Sequence, residues 1–430
     1  MAVGMTFQDI SAVLSEINRA ATGQEAPDII NTSTFVSVAE AALRTGYENL
    51  LNAISQVFTR TIFAVRPYRA QMLGLEKDGS AWGNHVRKIN YFDSDPIKDT
   101  TYSLPSDGTT GSEEAGNSVD PWIVERPKVL QTNYYGQSNY ARMYTQGLIQ
   151  LNSAFQGPDQ LAEFWSGMAT HMANQIEQDR ENLARMLVVN RMAGTPSTAP
   201  SAVIYLLDEY NAETGLELTA TTVFQPDNFP DFARYAFARI NDVSDMLRAR
   251  TINWHQNWGF SGTKYNFMRH TPYDRQHLYL SSRLQRQIGA RVLADTFNSG
   301  MLKYRDMELV PYWQTPDERE TVQVKPITST PTGAAQAMAT NVGLANIVGV
   351  LFDDDAIGYT PIDSQVLATP VNARSRYINF WYHYGWRWYN DFTENAVLFL
   401  LTSADVTAPA AAAAASLESS SIKEAEPAAK

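Results

Sequence analysis

"RYINFWYHYGWRWYNDF", residues 376–392, is the stretch that decides how this chain folds, because nine of the sixteen residues from Tyr377 to Phe392 are aromatic. The even positions carry Ile378, Phe380, Tyr382, Tyr384, Trp386 and Trp388. Successive side chains of a strand point to opposite faces, so this spacing predicts one β-strand with a nearly all-aromatic face. One interpretation is a stacking platform for a ligand. The width of the face favours the other, packing in a core or against another subunit.

A long helix is the second strong pattern. Pro158 and Asp159 are typical of a helix start, and Gly194 predicts its end, so we expect a helix over residues 158–192. Its apolar residues recur at spacings of three, four or seven: Leu161, Trp165, Met168, Met172, Ile176, Leu183 and Leu187. About 35 residues at about 1.5 Å each make a rod of roughly 50 Å, which must lie across something broad.

Shorter elements surround these two. The apolar spacing predicts helices at residues 6–22, 33–61, 229–250 and 285–298, and strands at 80–93, 122–138, 304–313, 320–328 and 346–352. The long stretch between the first two strands is polar and rich in Gly and Pro, which predicts an extended hairpin with a loose tip. Residues 403–430 are mostly Ala, Ser, Pro and Glu, so we expect a disordered tail.

Composition narrows the class of protein. The chain has 430 residues, 46 acidic and 34 basic, for a net charge of -12. A duplex-binding face is not expected, because phosphate contacts need clustered Lys and Arg. The absence of cysteine excludes disulfides and thiolate metal sites. The N-terminal residues have no secretion-signal pattern, and no apolar run approaches the roughly 18 residues of a membrane span, so we expect a soluble cytoplasmic chain.

No pattern in the sequence indicates catalysis. The phosphate-loop, dinucleotide, nucleophile-elbow and zinc-helix motifs are all absent, and the six histidines show no ligand spacing. The run Asp353–Asp355 fits either a cation site or a loop cap, and the lack of a glycine-spaced calcium loop favours the cap. We therefore assign no catalytic, cofactor-binding or metal-binding residue, although missing motifs do not by themselves exclude an enzyme.

Two segments resemble a known family. "NFMRHTPYDRQHLYLSSRLQRQIGARVLADTFNSGMLKYRDMELVP" (266–311) and "VNARSRYINFWYHYGWRWYNDFTENAVLFL" (371–400) are similar to the major capsid proteins of tailed bacteriophages, most of all the short-tailed phi 29 group. Together they cover under a quarter of the chain, and the order of elements agrees over most of residues 1–402. Some relatives carry an immunoglobulin-like C-terminal domain, for which residues 403–430 are too few.

The resemblance implies an α+β fold of the Hong Kong 97 type, with the following parts in chain order. They are an N-terminal arm (1–64), an extended two-stranded loop (65–147), a peripheral domain with a spine helix (148–225), an axial domain (226–350), peripheral strands (351–402) and the tail (403–430). The aromatic strand is then expected to pack on the spine-helix residues Trp165, Met168, Met172 and Ile176.

The implied function is a major capsid protein that self-assembles into hexamers and pentamers of an icosahedral-type phage head, assembled in the bacterial cytoplasm and retained in the virion. Its expected partners are copies of itself together with scaffolding, portal and decoration proteins. It would enclose double-stranded DNA without reading its sequence, would not be an enzyme, and would need no cofactor and no membrane. We expect inter-subunit contacts at Trp82, Arg87, Tyr91, Trp122 and Arg126. The alternative is a soluble carbohydrate-binding or hydrolytic protein that uses exposed aromatic residues.

Overall fold

The aromatic segment forms a core strand. The computed structural model describes residues 7–23, 29, 32–44, 69–77, 86–91, 129–147, 158–260, 263–265, 268–291, 306–329, 335–337 and 340–407. In it, strand β15 (Tyr377–Asn390) buries its even positions from Ile378 to Trp386, while Trp381 and His383 face outward and are exposed. The prediction of one buried aromatic face is confirmed.

β15 is the central strand of a three-stranded antiparallel sheet. Its neighbours are β14 (Ile357–Ala368) on one side and β3 (Gly136–Gly147) on the other. The inner face of the sheet lies in the larger of two hydrophobic clusters, together with helix α3 (Pro158–Thr198). Met172 and Ile176 of α3 belong to that cluster, as predicted, whereas the side chains of Trp165 and Met168 lie outside the described residues.

Polar contacts fix the sheet on the helix. Arg142 of β3 donates to Asp179 of α3 at 2.7 Å, and Tyr384 of β15 also donates to that carboxylate. Farther along α3, the Asn390 amide donates to the backbone carbonyl of Leu187 at 2.9 Å. Because a buried amide or charge is costly without a partner, these bonds select one position of the sheet along the helix.

Helix α3 ends later than predicted. It continues to Thr198, four residues beyond Gly194, so the interpretation of Gly194 as a helix end is wrong. The glycine has a packing role instead: a Cβ at this position would lie 2.5 Å from ring carbons of Phe392. Pro196 lies in the last turn, where it lacks the N–H that would bond the carbonyl of Met192, and the helix ends two residues later.

The two N-terminal helices pack on the same core. α1 (Phe7–Thr22) and α2 (Thr32–Arg44) confirm the helix predictions there, and residues 45–61 of the longer predicted helix lie outside the described residues. Leu14, Ile17 and Phe35 are fully buried in the cluster that holds Met172. The described part of the predicted arm therefore lies against the chain's own core.

A second sheet has five strands in the order β4–β16–β13–β7–β8. Their bounds are β4 (Val203–Tyr205), β7 (Gln276–Ser281), β8 (Asp306–Val310), β13 (Ile347–Asp353) and β16 (Ala396–Leu400). Helices α4 (Leu206–Thr214) and α5 (Phe229–Leu247) pack on this sheet in the second hydrophobic cluster, and α6 (Ser282–Arg291) follows β7.

This sheet contains strands from three of the predicted domain segments. β4 and α4 were assigned to residues 148–225 and β16 to residues 351–402, yet all three pack with elements of residues 226–350. The reason is that β16 inserts between β4 and β13, pairing parallel with the first and antiparallel with the second. Neighbouring strands thus come from chain segments that are far apart in sequence.

The predicted hairpin is present but shorter. β1 (Val86–Tyr91) pairs antiparallel with β2 (Val129–Tyr134), and the residues between them lie outside the described residues. Both ends of the segment 65–147 pack against other parts of the chain. Residues 69–77 bury Ala70, Met72 and Leu75, and β3 pairs along β15 as part of a sheet.

The remaining described strands are short. They are β5 (Trp258–Phe260), β6 (Thr263–Tyr265), β9 (Val322–Val324), β10 (Ile327–Ser329), β11 (Ala335–Ala337), β12 (Val342–Leu344) and β17 (Val406–Thr407). Among the residues that the structure describes, no helix combines the length and the apolar character needed to cross a membrane.

The start of the predicted tail is ordered, so that prediction is wrong for residues 403–407. Asp405 accepts hydrogen bonds from Thr402 and from the Asn346 amide at 2.7 Å, and β17 pairs with β12. Residues 408–430 lie outside the described residues.

Gly194→Ala should destabilise the protein even though alanine favours a helix by about 1 kcal/mol over glycine. The added methyl meets Phe392, and overpacking a core costs about 1–3 kcal/mol. Thermal and urea unfolding would measure the change. Asn174→Ala, at an exposed position of the same helix, is the control and should be neutral or stabilising. A Gly194→Ala protein at least as stable as wild type would contradict this packing role.

Two truncations should behave differently. Ending the chain after Thr402 removes β17 and Asp405, so it should lower the unfolding midpoint. Ending it after Thr407 keeps both, and the removed residues offer little apolar surface to bury, so the midpoint should stay near that of wild type. Equal midpoints for the two truncated proteins would show that residues 403–407 add nothing to stability.

Candidate subunit interface

The β1–β2 hairpin presents one face to solvent. Arg87, Ile89 and Tyr91 alternate along β1 and are exposed, and Tyr91 has a relative exposure of 71%. Val129 of β2, which is paired with Tyr91, is also exposed. We call these four residues the hairpin face. An exposed group of one aromatic and two aliphatic side chains is typical of a surface that another protein covers.

Two of the five predicted contact residues, Arg87 and Tyr91, lie on the hairpin face. Trp82, Trp122 and Arg126 lie outside the described residues. Ile89 and Val129 were missed, although the alternation of Arg87, Ile89 and Tyr91 is visible in the sequence and would have included Ile89. Whether these residues touch another subunit remains a prediction.

The outer face of the three-stranded sheet carries a second exposed apolar group. Trp381 of β15 pairs with Met143 of β3 on one side and with Leu367 of β14 on the other. All three side chains are exposed, and Trp381 has a relative exposure of 37%. We call them the outer row. Sequence reasoning used only the even positions of β15 as a packing face, so it did not single out this exposed, odd-numbered tryptophan.

A basic turn adjoins the outer row. It joins β14 to β15, and the Asn372 side chain accepts bonds from the backbone N–H groups of Arg374 and Ser375, both at 3.1 Å. Arg376 has a φ of 51°, a left-handed conformation that side chains other than glycine rarely adopt. Arg374 and Arg376 are both exposed, and neither forms an ion pair with another described residue.

Ion pairs and hydrogen bonds hold the inner face of the hairpin against the rest of the subunit. Lys88 contacts the carboxylates of Asp391 and Glu394, which belong to the buried loop 391–395 between β15 and β16. Arg191 of α3 donates to the backbone carbonyls of Asp391 and Glu394, both at 2.6 Å. Arg269 donates to the Asn90 side chain of β1 at 2.6 Å. The hairpin, helix α3 and the 391–395 loop therefore meet in one buried polar cluster.

In this cluster, burial and the neighbouring charges shift the pKa values of Lys88 and Asp391 in opposite directions. Burial lowers the pKa of Lys88, but the charges of Asp391 and Glu394 outweigh it and raise the pKa overall. Burial raises the pKa of Asp391, yet the Lys88 ammonium and hydrogen bonds from Thr393 bring it down to about 2. For Glu394 burial dominates and the pKa is raised. Burial lowers the pKa of Arg191 to about 10.

A second ionic contact anchors residues 69–77. Lys77 donates to Asp354 at 2.5 Å, and the His277 ring Nε2 lies 2.7 Å from the same carboxylate oxygen. The neighbouring Asp353 accepts a bond from the backbone N–H of Asp355 at 2.9 Å, as expected of a loop cap. Within the described ranges, no group of three or more His, Asp or Glu side chains could hold a metal ion.

Asp354→Asn should lower the free energy of unfolding at neutral pH. It should also make that free energy less dependent on pH in the acid range. The hydrogen bond from His277 and then the contact with Lys77 hold the pKa of Asp354 below its usual range. A depressed carboxyl pKa adds stability above the unfolded-state pKa of about 4, and this is lost as the pH falls through the folded-state pKa. Urea unfolding should therefore show wild type and variant converging below about pH 4.

The control for this experiment is Asp231→Asn, which breaks a solvent-exposed pair with Arg234. Exposed pairs contribute about 0–1 kcal/mol, so its acid profile should follow wild type. An Asp354→Asn protein whose stability difference from wild type is the same at every pH would contradict the ionic anchor.

Comparison with known proteins shows which family this chain matches. A family model described as the Phi29-like phage major capsid protein matches residues 91–400. No curated protein matches the chain. Among solved structures it is similar to a chain of "Structure of head fiber and inner core protein gp22 of native bacteriophage P68", with a TM-score of 0.50 and 10% identity over 79% of this chain and 86% of that one.

It is also similar to a chain of "Capsid structure of Staphylococcus phage Andhra", with a TM-score of 0.48 and 9% identity over 78% and 85% of the two chains. At such identities the P68 likeness concerns the mixed helix-and-sheet fold alone. The family model is more specific, because it runs from the last residue of β1 to the last residue of β16. The chain therefore belongs to the Phi29-like phage major capsid proteins, and its role is the structural one of building a phage head shell.

Proposed function

We propose that this capsid protein assembles, in the host cytoplasm, into hexamers and pentamers of a closed head with a Hong Kong 97-type subunit. The order of parts supports this: two N-terminal helices, a β-hairpin, one helix of 41 residues beside a three-stranded sheet, and a second, compact sheet-and-helix unit. In this proposal α3 is the spine helix, and the five-stranded sheet with α4 and α5 forms the core of the axial domain.

The hairpin face of one copy packs on the outer row of the next. Each surface presents one large aromatic side chain, Tyr91 or Trp381, flanked by apolar neighbours. Tyr and Trp dominate the energetics of protein interfaces when they are enclosed by a rim that excludes water. Polar residues border both surfaces, with Gln131 beside the hairpin face and Gln365 and Asn379 beside the outer row.

Charge supports the same pairing. Residues 93–120, which follow the hairpin face in the chain, contain seven acidic residues and one lysine. The basic turn, with Arg374 and Arg376, lies at the end of the sheet that carries the outer row. Opposite charges steer two copies into register more than they add affinity, and salt screens them, so subunit association should slow as salt rises.

The other partners follow from the shell. The subunit encloses double-stranded DNA, and its net charge of -12 disfavours tight binding to the genome. Scaffolding, portal and decoration proteins would contact the shell rather than a ligand site. The carbohydrate-binding alternative needs an exposed aromatic platform, whereas the aromatic face of β15 is buried against α3.

The observation that carries the pairing is that one subunit has two separate exposed apolar surfaces, the in-register row Leu367–Trp381–Met143 and the hairpin face. Tyr91→Asp and Leu367→Asp should each give folded subunits that fail to form shells, because a lost interface hot spot costs about 2 kcal/mol or more at every copy of the contact. Size-exclusion chromatography and negative-stain microscopy measure assembly, and circular dichroism measures folding.

Leu216→Asp is the matched control, since Leu216 is also an exposed leucine but follows α4, away from both surfaces. It should assemble as wild type does. Normal shells from both test variants would remove the proposed contact. Loss of shells in all three variants would show that an acidic substitution at any exposed apolar residue blocks assembly, so the effect would not be specific to the proposed contact.

A further inference from the structure

The cluster at the hairpin base has the parts of a self-modifying site. Lys88 Nζ touches one oxygen of Asp391, Oδ2, and one oxygen of Glu394, Oε1. We propose that Lys88 and Asp391 become joined by an intrachain isopeptide bond, with Glu394 carrying the protons. The bond needs no neighbouring subunit, so this proposal does not depend on the contacts proposed for the shell.

Asp391 is held rigidly for such a reaction. Its side chain is fully buried, its backbone N–H donates to Ala356 at 2.8 Å, and its carbonyl accepts from Arg191 at 2.6 Å. Lys88 is held from the other side, because β1 is paired with β2 and the next inward residue, Asn90, accepts a bond from Arg269. Fixed reactants greatly raise the effective concentration of one group at the other.

The two oxygens of Asp391 have different surroundings. Oδ1 accepts the Thr393 backbone N–H at 2.9 Å and the Thr393 hydroxyl at 2.7 Å, while Oδ2 faces Lys88. Two donors on one oxygen stabilise the negative charge that develops there when a nucleophile adds to the carboxyl carbon. Oδ1 is thus placed as the oxyanion and Oδ2 as the leaving oxygen.

The reaction is a condensation without redox change. A proton passes from the Lys88 ammonium to the Asp391 carboxylate, and the free amine then attacks the carboxyl carbon Cγ. A C–N bond forms, the bond from Cγ to Oδ2 breaks, and Oδ2 leaves as water. Glu394 accepts the second proton from nitrogen and delivers it to the departing oxygen, which returns Glu394 to its starting state.

The ion pair is the resting state, because the pKa of Lys88 is raised and that of Asp391 is lowered. Condensation passes through the less populated neutral pair, so it should be slow and follow folding. Burial helps by disfavouring separated charges, and the raised pKa of Glu394 suits a group that must alternately hold and release a proton.

A bond here would lock the hairpin. Residues 88 and 391 are 303 positions apart, so the bond would close most of the 430-residue chain into one covalent loop. It would tie the base of the hairpin to the 391–395 loop, which joins the two sheets. A mechanical force on the hairpin would then pass to both sheets without separating the hairpin from the 391–395 loop.

The first test is the mass of the full-length protein, folded, incubated for days and then denatured. We expect a mass lower than that of the sequence by one water. Trypsin should release a branched peptide joining residues 88–98 to residues 388–423. Lys77, which pairs with Asp354 but has no second carboxylate in its ion pair, is the internal control and should remain unmodified and cleavable.

Two variants assign the roles. Lys88→Met should have the full mass of its sequence. Glu394→Gln should fold, as judged by circular dichroism, but lose most of the bond, because an amide cannot relay the proton. Wild-type protein with the full sequence mass and an unbranched 88–98 region would overturn the proposal and leave an ion pair only. A Glu394→Gln protein that forms the bond as fast as wild type would overturn the relay role of Glu394.

Discussion

Packing of the aromatic face of β15 on helix α3 is the interaction on which the rest of the structure depends. β15 is the central strand of its sheet, so without it both β14 and β3 would lose the strand they pair with. The same cluster takes in the apolar stripes of α1 and α2 and the buried residues of segment 69–77. Each fully buried large apolar side chain contributes about 1.5–3 kcal/mol. Such a face is therefore strong enough to organise chain segments that are hundreds of residues apart.

The 391–395 loop makes the two sheets one body. The chain leaves the three-stranded sheet at Asn390 and enters the five-stranded sheet at Ala396. A buried loop must satisfy its backbone polar groups, and here Arg191 of α3, Gln256 and Arg269 donate to its carbonyls. His255 bonds Asn395 at 2.9 Å, and the Gln256 N–H donates to the Phe392 carbonyl at 2.8 Å. Movement of the hairpin base would therefore disturb the junction of both sheets.

The two faces of each strand have separate roles. On β15 the even positions build the core, and the odd position 381 places a tryptophan on the outer surface. On β1 the inward Lys88 fixes the hairpin to its own subunit, and the outward Tyr91 is exposed. A period of two thus lets one short segment hold a subunit together with one face and expose apolar side chains on the other.

The sequence by itself determined the elements whose signals are local. Period-two aromatic residues predicted β15, apolar spacing predicted α1 and α3, and alternation placed Arg87 and Tyr91 on one face of the hairpin. Tertiary structure decided whatever depends on a distant partner. The sequence pattern predicts a helix end at Gly194, but the structure shows a glycine that makes room for Phe392. It predicts a tail at residues 403–407, but part of this segment pairs with β12. β16 joins the second sheet because it pairs with β4 and β13, which are distant in sequence. The meeting of Lys88 with Asp391 and Glu394 spans about three hundred residues, and no local pattern encodes it, because only the folded core brings those side chains together.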